Sequence, residues 1–158
     1  MNKKVAFIGH RNVSQIKLNN KLTETIENLI NNGYNFFTMG THGNFDKLAL
    51  SCCRSLRSKY NIEIEVVITS LNQIKKQITV DIFGREVYTP YEDVKTTMYY
   101  IEDEFYKNRI ISSNKQMVEN CHILVCYVDE KAKSSGSKRI LSYAKKKGLK
   151  TINLFSEV

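Results

Sequence analysis

Val5-Ala6-Phe7-Ile8-Gly9-His10-Arg11-Asn12 is the stretch from which the fold can be read. A short apolar run suits a strand covered on both faces, and the glycine that ends it allows the backbone a sharp exit into a polar loop. Behind the loop, Ile16, Leu18, Leu22, Ile26, Leu29 and Ile30 recur at helical spacing until Asn32-Gly33, a C-cap signal. Strand, loop and helix thus follow one another, and the pattern recurs. Tyr34 to Met39 reads as a second strand, Gly40-Thr41-His42-Gly43-Asn44 as a turn, and Leu48, Ala49, Cys52, Cys53, Leu56 and Tyr60 as one face of a second helix.

Ile62 to Ile68 follows as a third strand and Leu71 to Ile78 as a short helix. Thr79 to Tyr100 breaks the rhythm with Gly84, Pro90 and a concentration of aromatic residues. Helical spacing resumes over Ile101 to Val118, and Cys121 to Val128 is the most hydrophobic strand. Lys133 to Ser137 is a loop, Lys138 to Lys147 a helix ending at Gly148, and Thr151 to Phe155 a last strand. Alternation of this kind predicts parallel βαβ units in a single three-layer, Rossmann-like α/β domain over residues 1–158, with a mostly parallel sheet of about five strands. No linker rich in Pro, Gly or Ser divides the chain, and no repeat is visible.

Composition narrows the class. The 158 residues are 42% hydrophobic, enough for a real core, so disorder and a disulfide-stapled miniprotein are not expected. No apolar run reaches the roughly 18 residues of a membrane span, and the start is too weakly apolar for a signal peptide, so the expected location is the cytoplasm. Cys52, Cys53, Cys121 and Cys126 sit in apolar periodic segments without metal spacing, and read as small buried thiols rather than bridges or zinc ligands. No metal and no cofactor is expected. The net charge of +8 arises in one place: Lys131 to Lys150 holds eight basic residues and no acidic one, while the remaining chain balances at 16 against 16. That segment reads either as a solvated helix face or as an anion-binding surface.

In an open parallel sheet, ligands bind outside the carboxyl ends of the strands, where strand order reverses. Three loops leave such ends. Gly9, His10 and Arg11 combine close backbone approach with a planar fork of donors. Gly40, Thr41, Gly43 and Asp46 lead straight into a helix whose free N–H groups attract anions. Ser134, Ser135, Gly136 and Ser137 open another helix inside the basic segment, with Gly136 read as a position where a Cβ would narrow the space for a phosphate. Each loop also has a plainer reading: serines cap helices, Asp46 satisfies helix amides, Asp129 solvates a loop and His122 is structural. Phe83, Tyr88, Tyr91, Tyr99 and Tyr100 read as core or interface more readily than as base-stacking platforms. No nucleophile elbow, P-loop or G-x-G-x-x-G can be written, which argues against covalent hydrolysis, ATP hydrolysis and an ordinary NAD-dependent dehydrogenase.

Four segments together resemble the SLOG superfamily: Val5 to Arg11; Gly40-x-x-Gly43-x-x-Asp46-x-x-Ala49; Asn114-Lys-Gln-Met117-Val118; and Ser135-Gly136-Ser137 followed by Tyr143-Ala144-Lys-Lys-Lys-Gly148. The likeness is to the YpsA-like branch, with kinship to the LOG phosphoribohydrolases and the Rossmann domain of DprA. It implies a fold whose loops bind nucleotides or nucleotide-derived signals, often as a sensor, and adds Asn114 and Lys115 to the candidate ligand-binding residues. Lys115 stands where relatives carry an arginine, and Arg109 is the nearby substitute. The P-G-G-x-G-T-x-x-E signature of the LOG enzymes is replaced here by Lys133-Ser-Ser-Gly-Ser-Lys-Arg139, without the carboxylate.

The leading expectation is therefore a module that binds a nucleotide or ADP-ribose-like small molecule to sense or sequester it. The second is an N-glycosidic hydrolase acting on nucleoside monophosphates through Glu102, Glu104 or Asp46. The third is DprA-like nucleic-acid binding along Lys131 to Lys150, ranked lower because no aromatics are interleaved for stacking bases. The aromatic middle is more apolar than a loop of its length requires, and relatives pair through helices beside the site, so a homodimer or larger homo-oligomer is expected. Light scattering at tens of micromolar should give a mass near twice the chain's 18.3 kDa, and a monomer mass would count against pairing.

Overall fold

In chain order the elements are β1 (Lys4–Gly9), α1 (Gln15–Asn31), β2 (Phe36–Met39), α2 (Asn44–Arg57), β3 (Glu63–Val67), β4 (Thr79–Val80), β5 (Glu86–Val87), β6 (Lys95–Thr97), α3 (Tyr106–Glu119), β7 (Ile123–Tyr127), α4 (Gly136–Lys146) and β8 (Lys150–Asn153). They are taken from a computed structural model that describes residues 2–13, 15–73, 79–80, 83–87, 91–99, 106–133 and 135–157. Six strands form one parallel sheet in the order β6-β3-β2-β1-β7-β8, and β4 and β5 form a small antiparallel pair. The fold is α/β and Rossmann-like. The sheet has one strand more than the alternation predicts, because the short β6 lies where the hydrophobic rhythm fails and carries no periodic signal.

β1 is central. Val5 is level with Phe37 on β2's side of the register and with Ile123 of β7 on the other, and Gly9 faces Tyr127. Its side chains feed both layers, which is why it reads as an unbroken apolar run. Val5 and Phe7 join Leu18, Leu22, Ile26, Phe45 and Cys53 beneath α1 and α2. Ala6 and Ile8 join Met117, Val118, Ile140, Leu141 and Ala144 beneath α3 and α4. The chain winds outward from β1 to β6 and then returns to the other side for β7 and β8. Crossovers of a single hand then put the first two helices on one face and the last two on the other.

Local signals operate as read. α1 ends in a Schellman motif at Gly33, where φ is +93°: Tyr34 N donates to Leu29 O and Gly33 N to Ile30 O. The same closure follows α4, with Leu149 N donating to Ala144 O and Gly148 N to Lys145 O. α4 begins two residues earlier than the periodicity suggests, because Ser135 Oγ accepts from Lys138 N and caps it. Where the helix expected over Leu71 to Ile78 would begin, Leu71–Gln73 form a 3-10 turn, closed by the Gln73 side chain accepting from Thr69 N. Residues 74–78 lie outside the described residues, as do 101–105, with which the next expected helix begins.

Two polar features were not legible in advance. Glu65 is buried within the sheet, where Thr38 Oγ1 and Thr97 Oγ1 donate one bond to each of its oxygens at 3.0 and 2.8 Å. Asp93 receives a fork from Arg54 and a further bond from Arg57, which ties the segment before β6 to α2. The four cysteines are free thiols, and burial pushes that of Cys126 up to about 12. No described helix is long and apolar enough to cross a membrane.

β1 stops on a residue with no side chain for a steric reason. A Cβ on Gly9 would lie 2.3 Å from Cγ of the fully buried Phe45, in the first turn of α2. Gly9→Ala should therefore destabilise the fold by about 1–3 kcal/mol through overpacking. In urea unfolding, Gly9→Ala combined with Phe45→Ala should cost less than the sum of the two single losses, because alanine removes the ring atoms nearest the added Cβ. Strictly additive losses would show that the two sites are not in contact.

Candidate functional site

The carboxyl ends of β1, β2 and β7 meet where strand order reverses, and a cavity of about 670 Å³ opens there. This size is within the range of small-molecule pockets. Its walls come from the loop after β1, the start of α2, the start of α4 and one face of α3.

The loop after β1 is held on both sides. His10 N donates to Tyr127 O, and His10 Nε2 accepts from Asp129 N at 2.8 Å, so the neutral ring carries its proton on Nδ1. Asp129 in turn closes its own loop by accepting from Lys131 N. Arg11 O accepts from Asn44 N at 2.9 Å, joining the loop to the first residue of α2. Gly43, at φ +135°, permits this approach, since a Cβ there would sit 2.8 Å from the Arg11 Cα. The Arg11 side chain itself is exposed.

No side chain caps α2. Asp46, in its first turn, accepts from His42 N at 2.9 Å through Oδ2. A Cβ on Gly40 would lie 3.1 Å from that oxygen and 3.9 Å from Asn114 Oδ1, so Gly40 backs onto two side chains that line the cavity. Burial pushes Asp46 up to about 6, although the His42 N–H and the Arg11 charge both act to lower it. His42 is shifted down, by burial first and Arg11 second, and its Nε2 is 2.9 Å from Thr69 Oγ1.

At the start of α4, Ser137 Oγ donates to Gly9 O at 2.8 Å while Ser135 caps the helix. Both hydroxyls are thus engaged in structure, and the groups left to face the cavity are backbone amides and the side chain of Arg139 one turn on. Gly136 is not in the left-handed region, and a Cβ there meets nothing within 4 Å. Close packing by the protein is not what places glycine at this position.

Of the residues singled out from the sequence, Gly9, His10, Arg11, Asp46, Asn114, Ser135, Gly136 and Ser137 line the cavity together. Gly40 and Gly43 lie directly behind it, and Thr41 Oγ1 is turned to accept from Gln73 Nε2. Arg109 is not on the wall, Lys115 lies in a neighbouring groove, and Ser134 is outside the described residues. Ile8, Asn12, His42, Ile110, Ile111 and Arg139 are lining residues that the sequence reading did not select. Helical spacing from the Ser-Gly-Ser loop was a usable signal for Arg139, whereas nothing local marks Ile110 or Ile111. Among the described residues no group of three His, Cys, Asp or Glu side chains is placed to hold a metal ion.

No protein-family model matches the chain, and no curated protein matches it. The case for function therefore rests on this geometry: an apolar wall of isoleucines, two cationic side chains, two helix starts and one carboxyl group.

Because Asp46 has its folded-state value raised from 3.8 to about 6, the folded protein keeps this proton where the unfolded chain has lost it. Its contribution to stability is greatest at low pH, falls as pH rises from about 4 to about 6, and stays low above that. Asp46→Asn keeps an acceptor for His42 N and removes the buried charge. We expect it to raise stability at pH 7 by about 2 kcal/mol and to flatten the slope between about pH 4 and 6, read by urea unfolding across pH. A loss of stability at pH 7 would mean that the ionised carboxylate is well paired.

Proposed function

We propose that the cavity binds a nucleotide or a nucleotide-derived, ADP-ribose-like molecule, and that the chain senses or sequesters this ligand. The observation that carries the reading is the convergence of the α2 and α4 N-termini with Arg11 and Arg139 on one cavity at the switch point of a parallel sheet. Helix starts and guanidinium groups are suited to phosphate oxygens, and the isoleucine wall to an apolar base or sugar face. Asp46 and Asn114, which both line the cavity, are the partners for ribose hydroxyls. The resemblance to SLOG proteins leads to the same ligand class by a separate route.

A second reading has one specific observation in its favour. A carboxyl group raised into the neutral range inside a ligand-sized cavity is a candidate acid or base for N-glycosidic cleavage. In this reading Asp46 is the candidate that lines the cavity, and Glu102 and Glu104 lie outside the described residues. Homodimer formation belongs to the same proposal, supported by the exposed Phe83 and Met98 in the aromatic middle segment.

A thermal-shift and calorimetric panel of nucleotides, cyclic dinucleotides and ADP-ribose isomers tests the binding reading, and silence across the panel would sink it. Free base released from nucleoside monophosphates in the same mixtures, and lost in Asp46→Asn, would favour the enzyme. For any phosphate-bearing ligand found, Arg11→Ala should weaken binding by about 1.5–3 kcal/mol, the scale of a charge-assisted hydrogen bond. The melting temperature should hardly change, because the exposed Arg11 side chain leaves its backbone bond to Asn44 intact. An unfolded variant would make Arg11 structural instead.

A further inference from the structure

Beside the cavity, α3 and α4 leave a groove of about 430 Å³ lined by Ile111, Lys115, Lys138, Arg139, Tyr143 and Lys146 among others. Ile111 and Arg139 belong to both walls, so cavity and groove adjoin. The groove contains four cations and no carboxylate. Some surface cations elsewhere are matched, Arg54 and Arg57 with Asp93, Lys21 with Glu157, Lys145 with Glu130, and Lys147 with Glu119, and others among the described residues are not. Among the described residues, Lys115, Arg139 and Lys146 have no carboxylate within ion-pair distance. Within the basic segment Lys145 and Lys147 are neutralised locally, whereas Lys138, Arg139 and Lys146 gather with Lys115 in the groove between α3 and α4.

The groove wall is also braced. Tyr143 donates its hydroxyl to Glu119, and the ammonium groups of Lys115 and Lys147 lie 5.3 and 5.2 Å from its ring centre. Lys138 Nζ donates to Ala132 O, which holds that cation at the groove's end. Clustered like charges raise the local potential and repel one another, a cost that an anion seated between them removes.

We propose that this groove is a second phosphate subsite, so that the ligand is a dinucleotide-type molecule. One phosphate-bearing unit occupies the cavity, the next phosphate lies over Lys115, Lys138 and Lys146, and Arg139 stands at the junction. The inference rests on the nucleotide reading of the cavity and names the size and charge of what binds there.

The test compares calorimetric affinities of the four nucleoside 5′-monophosphates with those of linear 5′-phosphorylated dinucleotides. In the unmodified protein the best dinucleotide should bind at least about tenfold more tightly than its mononucleotide at low salt, with a steeper salt dependence. Lys115→Gln with Lys146→Gln should remove most of that advantage and leave the mononucleotide affinity unchanged. Lys146→Gln alone, at an exposed position, serves if the double variant unfolds, and should remove part of it. Equal affinity for the two probes, or an advantage untouched by both variants, would overturn the groove while leaving the cavity reading intact. Mononucleotides and dinucleotides both failing to bind would overturn the dinucleotide inference, and the cavity reading would then rest on the ADP-ribose and cyclic-dinucleotide arms of the panel above. Affinity that keeps climbing with longer single strands would assign the surface to nucleic acid and overturn the dinucleotide limit.

Discussion

The contact between Gly9 and the Phe45 ring sets where the site-forming helices begin. Phe45 is in the first turn of α2 and is fully buried, and its ring occupies the space that a side chain on Gly9 would need. Ser137, at the start of α4, donates its hydroxyl to the carbonyl of the same glycine. The end of the central strand is thus gripped by α2 through packing and by α4 through a hydrogen bond. Two helix starts that are far apart in sequence arrive at one point with their polar ends facing the same space. Close-packed interiors transmit displacement rather than absorb it, so a shift at Gly9 would move both anion-facing ends together.

Around that point the chain tolerates an electrostatic cost. Asp46 is buried enough to be raised to about 6, and among the described residues one backbone N–H, that of His42, and the nearby Arg11 stabilise its charge. The buried Glu65 is treated differently, with a threonine hydroxyl on each oxygen and Lys95 Nζ 3.7 Å away. One carboxylate is satisfied inside the protein, while the other faces a cavity with bonding capacity to spare. A carboxyl group with unused capacity at a cavity floor marks a site more than a scaffold.

The same contrast sorts the cations. Arg54 and Arg57 converge on Asp93 and fasten a segment to α2, a structural use of guanidinium forks. Arg11 and Arg139 instead flank the cavity, and Lys115 and Lys146 flank the adjoining groove. The chain's excess charge is thus partly concentrated beside the site, which favours the approach of anions over long range.

Much of this was legible in the sequence. Val5 to Gly9 announced a doubly covered strand, Gly33 and Gly148 announced helix ends, and the loops after strands announced the edge on which the cavity opens, because strand burial, left-handed caps and helix starts are properties of neighbouring residues. β6 was missed because three half-exposed residues have no period, and the pairing of Glu65 with Thr38 and Thr97 was missed because it crosses three strands. The sequence by itself determined the alternation of the main strands and helices and which loops leave the carboxyl ends of the strands. Only the tertiary structure decided that Ser137 reaches Gly9 across 128 positions, that Asp46 and Asn114 line one cavity, that the serine hydroxyls serve the fold, and that Lys115 leaves the cavity for the groove. Those contacts depend on strand order and on which face each helix covers, and hydrophobic periodicity along the chain encodes neither.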